Sequence, residues 1–591
     1  MVSIEFPSRK WLVLIVFLSL INPLHYTIFV LSAPVNSEFI GFVDDGLMLS
    51  LMQSSSRNFE DPWSAGGSVF NNPLVGSVYL FILLGVPLLF LKVNPYVLFI
   101  LYKFIFAFVY YIVAYNFMKF FIKDKKILST AFILFMLAAG IGGIIYSLAY
   151  VSGNTEFLPA IGYGMTAEFE ELGGLAHSLT HLPRLYYLIP EILTYVTLLA
   201  FATRRKVLTG ILLGITGMFY PVAAIMSFII LTFYFLAFNY KKNNFVLMKG
   251  LIREFYLIII ISSMFAVPWI VSYLQNPYFF NVVSAESFEN FTLLKIIVSY
   301  ALTLPFVLYF LRKRISLFRR KEFIITSFII LGLFFLEQLY PVSQRSVLFS
   351  ELMANIGLLN VSAFLFIYSK IIELIAALYA ISVVIVIMKS DISKTEKSLF
   401  VWIFSFTILA GLYPSYVGFF TGRFGSLLLM SMSILSAYGI AEFCRNKKIN
   451  LKHVIILILL LSLPSLIAFN ARIQKQGREE SLSNVYISEN DYNALLFLKD
   501  LPQGRIIAFQ KISIFAPVYS DQKAFFFSGR INENVKDYED FYTKPDKQQE
   551  IIEKYNLTYI FYGDDEKKLN PAFSIDAELI YDDETKVYII R

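Results

Sequence analysis

Apolar runs near twenty residues long recur along this chain as far as residue 469, and each is long enough to cross a bilayer as a helix. The first, Trp11 to Leu31, follows Arg9 and Lys10. It exceeds the 7–15-residue core of a signal peptide and more runs follow it, so it reads as a retained first helix, with cleavage after Ala33 as the alternative. Of 591 residues, 57% are hydrophobic and 16% charged, against roughly 25% charged in soluble proteins. The fold class this predicts is a polytopic α-helical membrane protein. Abundant aromatics, 60 Phe and 37 Tyr, suit a lipid-facing surface with interfacial belts. The single Cys444 excludes an internal disulfide and a cysteine-based metal cluster. The net charge of +7 is accounted for by basic residues in loops, so no nucleic-acid partner is implied.

Basic residues favour the cytoplasmic side of short loops. They cluster at Arg9-Lys10, Lys123-Lys125-Lys126, Arg204-Arg205-Lys206, Lys241-Lys242, Arg312 to Lys321, Lys389-Lys394-Lys397 and Arg445-Lys447-Lys448. Placing all seven inside requires an even number of crossings between neighbours. About thirteen helices meet that condition: 11–33, 96–122, 127–150, 183–203, 207–219, 221–239, 254–273, 292–311, 322–341, 364–388, 398–413, 425–443 and 452–469. The split of 207–239 rests on the turn Phe219-Tyr220-Pro221. Leu74 to Leu91 is assigned to an external helix against the bilayer, because counting it as a span would put the second cluster outside. The chain is then a multi-pass protein of the cell membrane with a cytoplasmic N-terminus. Residues 1–470 form a transmembrane domain with extracytoplasmic loops 34–95 and 151–182. Three N-x-S/T triplets, at Asn290, Asn360 and Asn556, fall outside in this arrangement.

Beyond residue 470 the character changes to polar and charged. Glu489–Leu501 reads as a helix, and Arg505–Phe509 and Thr558–Tyr562 as strands. Ala577–Tyr581 and Lys586–Ile590 read as a hairpin turning at Asp582-Asp583-Glu584. Residues 471–591 are therefore expected to be a small external α/β domain.

Two acidic stretches fall in the external loops. In 39-FIGFVDDGLMLSLMQSSSRNFEDPWS-64, Asp44 and Asp45 lie where the first helix leaves the membrane, ahead of an amphipathic run at 46–52 that suits an interfacial helix. A carboxylate there meets water yet faces the lipid surface, a place suited to a general base when one substrate carries a lipid tail. The alternative is that the two acids only cap the following helix, whose N-terminal dipole favours negative charge. In 168-EFEELGGLAHSLTHLPR-184, His177 and His181 share a helical face and, with Glu168 and Glu171, could hold a divalent cation; Mg²⁺ or Mn²⁺ would prefer the carboxylates, Glu170 among them. The HExxH spacing is absent, and hydrogen-bonding histidines at a helix mouth are the other reading. No cofactor beyond that cation is implied. Arg184, Arg345 and Arg423 sit outside against the topology bias, where bidentate binding of a lipid-linked phosphate or anchoring to headgroups would place them. Lys103 and Glu191, about two turns inside their helices, are expected to face a cavity or each other.

Taken together, the layout resembles the C-type (GT-C) glycosyltransferase superfamily, which includes protein O-mannosyltransferases, aminoarabinose transferases and oligosaccharyltransferase catalytic subunits. The likeness covers the whole chain: a first helix ending outside, the acidic motif Val43-Asp44-Asp45-Gly46, a long first loop with Asp61-Pro62-Trp63, a second acidic loop, about thirteen spans and an external tail. The stretch 209–233 resembles a short helical hairpin of these enzymes. The resemblance implies transfer of a sugar, with inversion, from a polyprenyl-phosphate donor to a glycan, lipid or protein acceptor on the extracytoplasmic face. Asp44 or Asp45 would be the base and Arg184, Arg345 and Arg423 the holders of the lipid phosphate. Glu168, Glu170 or Glu171, with His177 and His181, would position the acceptor or a metal. Membrane lipids are the other expected partner. The chain lacks the WWDYG sequence of oligosaccharyltransferases, which argues against transfer of a preassembled glycan to asparagine. A transporter or lipid flippase, or a non-catalytic scaffold of the same layout, are the alternatives. The external crowding of ionisable residues and the lack of an inverted repeat speak against transport.

Overall fold

The computed structural model describes residues 7–31, 33, 36–39, 43–56, 75–91, 93–152, 185–239, 244–265, 300–312, 396–397, 399–402, 425–479, 486–525 and 532–590. In chain order it begins with α1 (Arg9–Leu31), β1 (Ser37–Phe39), α2 (Val43–Ser56) and α3 (Val75–Gly85), the last continued by a 3₁₀ turn, Val86–Leu89. Helices α4 (Pro95–Phe121), α5 (Lys125–Leu137), α6 (Gly142–Val151), α7 (Leu185–Ala202), α8 (Lys206–Phe219), α9 (Pro221–Asn239), α10 (Asn244–Met264) and α11 (Leu304–Arg312) follow. Then come α12 (Gly425–Lys447) and α13 (Leu451–Glu479). The tail carries β2 (Tyr486–Ser488), α14 (Glu489–Leu498), β3 (Arg505–Ile507), α15 (Gln510–Tyr519) and β4 (Lys523–Ala524). It ends with α16 (Asn532–Thr543), α17 (Pro545–Tyr555), β5 (Tyr559–Tyr562), α18 (Asp564–Leu569), β6 (Glu578–Asp582) and β7 (Lys586–Ile589). Among the described residues one helix, α4, is long and apolar enough to cross a membrane by length and composition. The expected spans 322–341 and 364–388, and most of 398–413, lie outside the described residues.

Two compact units divide the chain: one gathers residues 1–19, 106–267 and 280–470, the other 20–105, 268–279 and 471–591. The regular secondary structure described in the first is all helical. The expected break between α8 and α9 is present: Tyr220 is extended (φ −152°, ψ 90°) and Pro221 opens the next helix, because the ring of a proline disfavours the helical region for the residue before it. Small residues set other contacts. Gly210 and Gly214 of α8 lie so close to Ile261 and Phe265 that a Cβ at either would collide. Thr194 of α7 and Ser227 of α9 share a hydrogen bond of 3.2 Å.

The span expected at 127–150 is two helices, α5 and α6, with Ala138 extended between them. Gly140, Gly142 and Gly143 make this stretch a poor helix former. The backbone groups freed by the break are taken up by α13. Ser462 Oγ accepts from Ala139 N at 3.0 Å and stands 3.0 Å from Ala139 O and 2.9 Å from Ile458 O, between which its proton is shared. Ser465 Oγ accepts from Gly143 N and donates to Gly140 O, both at 2.8 Å. The two serines, three apart, fall on one helical face. A Cβ at Gly143 would run into the Ser465 backbone, so the glycine lets α6 come close enough for these bonds. An unsatisfied backbone group in an apolar interior costs about 1–3 kcal/mol.

In the second unit the tail folds as a five-stranded sheet in the order β4-β3-β5-β7-β6. Strands β4, β3 and β5 are parallel, and β7 and β6 are antiparallel to their neighbours. Side chains alternate along β5: Tyr559 and Phe561 join a cluster with Leu495, Leu498, Ile512 and Phe515, while Ile560 and Tyr562 join Tyr538, Phe541, Tyr542 and Ile551. Helices α14 and α15 thus cover one face and α16 and α17 the other. The sequence patterns had suggested α14 and the strands β3, β5, β6 and β7, but not α15, α16, α17 or β4. Several edges also differ. The expected strand 505–509 stops at Ile507 because Phe509 caps α15. The expected turn Gly563-Asp564-Asp565 is the start of α18, whose first turn holds Asp564, Asp565 and Glu566, where the helix dipole favours acids.

Replacing Ser462 and Ser465 by alanine together strands the backbone of residues 139–143. We expect the thermal midpoint of the detergent-solubilised chain to fall by several degrees, and each single change to have about half that effect, measured by differential scanning fluorimetry.

Candidate functional site

The acidic pair opens α2: Asp44 and Asp45 stand in its first turn, directly after Val43. Acids at that position are favoured by the exposed N–H groups of the first turn. What fixes the helix is the tail. Ahead of it, β1 pairs antiparallel with β2, with Ser37 opposite Ser488 and Phe39 opposite Tyr486. Asn36, in the left-handed region at φ 60°, offers its carbonyl to Glu489 N at 3.0 Å. Within the helix, Gly46 faces α15 so closely that a Cβ would lie 2.7 Å from Ile514 Cγ2 and from Cε1 and Cζ of Phe515. One turn on, Ser50 Oγ lies 2.8 Å from Gly46 O and 3.1 Å from Ile514 O, its single proton shared between them. Another turn on, Gln53 Nε2 donates to Asp521 Oδ1 at 2.7 Å. Gly85 at the end of α3 meets the backbone of Met52 on α2.

The run 46–52 was expected to lie at the lipid interface. Instead Met48, Leu49, Ser50, Leu51 and Met52 are each 2% exposed or less within protein. The apolar face is satisfied by packing, so it has no lipid to cover.

Beside α15 lies a set of buried ionisable groups that the sequence reading did not single out. Glu566 is 1% exposed and takes three donors: Phe509 N at 2.6 Å and Tyr538 Oη at 3.1 Å on Oε1, and Gly563 N at 3.0 Å on Oε2. Burial pushes its carboxyl up to about 7, against the opposing pull of the backbone donors, with the Asp491 charge adding to the rise. Asp491, 5% exposed, is pushed up by burial to about 6, although Thr585 and Ser488 hydrogen-bond its charged form. Its carboxylate comes so close to Gly563 that a side chain there would collide with it. Burial lowers Lys511, in the first turn of α15, and the charges of Asp565 and Asp491 oppose that fall. The sequence signal was present for Asp491: Ser488 accepts from Asp491 N as the N-cap of α14, the spacing of a capping motif. For Glu566 the local signal is its place three residues after Gly563, whose N–H it accepts at the start of α18; its bond from Phe509, 57 residues away in sequence, has no such signal.

Glu168, Glu170, Glu171, His177, His181, Arg184, Arg345 and Arg423 lie outside the described residues, and with them the expected site for a divalent cation. Among the described residues no group of three or more His, Cys, Asp or Glu is placed to hold a metal ion. Lys103 and Glu191 are described, each 1% exposed; Lys103 Nζ lies 4.6 Å from the centre of the Phe99 ring.

No family model matches the chain. No curated protein matches its sequence. Among solved structures, the crystal structure of ArnT from Cupriavidus metallidurans bound to undecaprenyl phosphate is similar, with 11% identity, coverage of 98% of each chain and a TM-score of 0.39.

Both raised carboxyls make the tail sensitive to pH in a definite direction. In the unfolded chain Asp and Glu release their protons near pH 4, whereas the folded protein holds these two protons to about pH 6 and 7. Stability is therefore full below about pH 4 and falls as pH rises through 6 and 7, by up to about 3 kcal/mol per group. Amide exchange in β5 of the full chain should be slower at pH 5 than at pH 8 after correction for intrinsic exchange. Glu566→Gln should remove most of that difference, and an unchanged slope would refute the assignment.

Proposed function

We propose that the chain is a membrane-embedded glycosyltransferase that takes a sugar from a polyprenyl-phosphate donor at the extracytoplasmic face. The observation that carries the reading is the paired acid of α2, which opens a helix held between α3 and α15 shortly after the apolar α1. A general base must be held within hydrogen-bond reach of the hydroxyl it deprotonates, and a helix gripped on two sides supplies that rigidity.

In this reading one carboxylate of Asp44 or Asp45 removes the proton of the acceptor hydroxyl as its oxygen attacks the anomeric carbon. The bond from that carbon to the phosphate oxygen breaks, the configuration inverts, and polyprenyl phosphate leaves with the bonding electrons. Arg184, Arg345 and Arg423 are proposed to neutralise the leaving phosphate, for which the planar guanidinium is well shaped. Glu168, Glu170, Glu171, His177 and His181 are proposed to position the acceptor or to hold Mg²⁺ or Mn²⁺, which would assist the departure of the phosphate. The acceptor would be a glycan, lipid or protein. In this reading the N-terminus is cytoplasmic and the tail external, a proposal supported by the bias of basic residues toward the cytoplasmic loops.

The test is transfer of labelled sugar from a polyprenyl-phosphate donor by the purified chain in detergent. Loss of the base should lower kcat by about 10²–10⁴-fold, so one of Asp44→Asn and Asp45→Asn should nearly abolish transfer. If neither change affects the rate, the base is misassigned. If the wild-type chain transfers nothing to glycan, lipid or protein acceptors, transport of a lipid or a scaffolding role takes its place. Arg184→Gln, Arg345→Gln or Arg423→Gln should raise KM for the donor where the arginine holds its phosphate, as read from donor titrations.

A further inference from the structure

The tail and the acidic helix are hundreds of residues apart in sequence, yet they are joined by three kinds of contact. The first is the backbone: β1 and β2 pair over three residues, and Glu489 N donates to Asn36 O. The second is close packing, where the missing side chain of Gly46 leaves room for Ile514 and Phe515. The third is polar, from Ser50 to the carbonyl of Ile514 and from Gln53 to Asp521. They lie on both sides of Asp44 and Asp45, at 36–39 before them and at 46, 50 and 53 after. Gly46, Ser50 and Gln53 follow one another at intervals of four and three, so they form one stripe on α2 that faces α15 and its C-terminal turn. Met48 and Met52 are buried as well, and Met52 is met by Gly85, so α2 has a neighbour on each side.

Helix α15 is itself fixed at its start. Phe509 caps it, and Phe509 N donates to the buried Glu566. Movement of α15 along its axis would break that bond, pull Ile514 and Phe515 away from Gly46 and shift the first turn of α2. The two helices therefore behave as one packed body, and the tail acts on the acids through α15.

We propose that the tail domain positions the acidic pair. Gly46, Ser50 and Gln53 on α2, seated on Ile514, Phe515 and Asp521, hold Asp44 and Asp45 in register for the reaction. These are positioning residues, and the catalytic half of the proposal rests on the transferase reading above. A displacement of about 1 Å at a reacting group can cost on the order of 10²-fold in rate, so a loosened seat is felt in kcat before donor binding.

The experiment uses the full chain in detergent and compares wild type with Gly46→Ala, Ser50→Ala and Ile551→Val. Two readouts are taken: amide exchange of residues 43–56, with β5 as an internal control, and kcat and KM for sugar transfer from a polyprenyl-phosphate donor. Gly46→Ala should speed exchange over 43–56 by at least about tenfold and lower kcat by on the order of 10–100-fold, with KM for the donor changed less than about twofold. Ser50→Ala should do the same to a smaller extent. Ile551→Val trims the core on the opposite face of the sheet, away from α2 and α15, and should behave as wild type in exchange over 43–56 and in kcat per folded protein, whereas a merely structural loss would lower the rate in proportion to the amount of folded protein in every variant. Unchanged exchange over 43–56 in Gly46→Ala, with β5 still protected, overturns the clamp. Faster exchange with an unchanged kcat overturns its role in positioning. Faster exchange in a chain whose wild type transfers no sugar overturns the transferase reading and the catalytic half of the proposal, while the mechanical link between tail and helix stands. If Gly46→Ala also exposes β5, the double variant Ser50→Ala and Gln53→Ala, which removes only polar contacts, decides between these outcomes by the same two readouts.

Discussion

Close approach of α2 to α15 is the constraint on which the second unit depends. It is possible because residue 46 has no side chain, and it brings the backbone of a segment near the start of the chain against a helix from its last hundred residues. Contacts this tight are sensitive to a single methyl group, since protein interiors pack as densely as organic crystals. The strand pair β1–β2 adds the directional part: backbone hydrogen bonds fix which residue faces which, and sliding by one residue would reverse every side chain. Packing and register together give the first turn of α2 a defined place.

A different economy governs the helical unit. There the hydrophobic burial is not in short supply; backbone polar groups are what must be satisfied. The interruption between α5 and α6 would leave amide and carbonyl groups without partners, and two serine hydroxyls on α13 meet them at 2.8–3.0 Å. Both serines are fully buried. Small residues serve the same end elsewhere, at Gly439 against the backbone of Phe306, at Gly210 against α10 and at Gly214 against Phe265 just past its end. Close contact and interhelical hydrogen bonds of this kind add to the burial of apolar side chains in holding the helices together.

Much of this was legible in the amino-acid order. The helices α4, α7, α8 and α9 begin and end within a few residues of the runs that announced them, and Pro221 marked the split between two of them. In the tail, β5 was visible as a short aromatic and β-branched run ahead of Gly563-Asp564-Asp565, and the β6–β7 hairpin from its turn at Asp582-Asp583-Glu584. Helices α16 and α17 were not, since Asn532–Thr543 and Pro545–Tyr555 are rich in charge and bury only one stripe each. The candidate site was half legible. The acidic pair and its helix could be found from the residues, but the burial of Met48, Leu49 and Met52 inside protein could not, because an amphipathic helix looks the same whether lipid or protein covers it.

What the sequence determines by itself is local: where apolar periodicity makes a helix, where proline or glycine interrupts it, and where acids favour a helix start. What only the tertiary structure decides is partnership. Nothing in Ser50 announces a carbonyl 464 residues away, nor in Ser462 an amide 323 residues away. Hydrogen bonds and steric fit depend on distances of a few tenths of an ångström, and those are fixed only when distant segments are packed together.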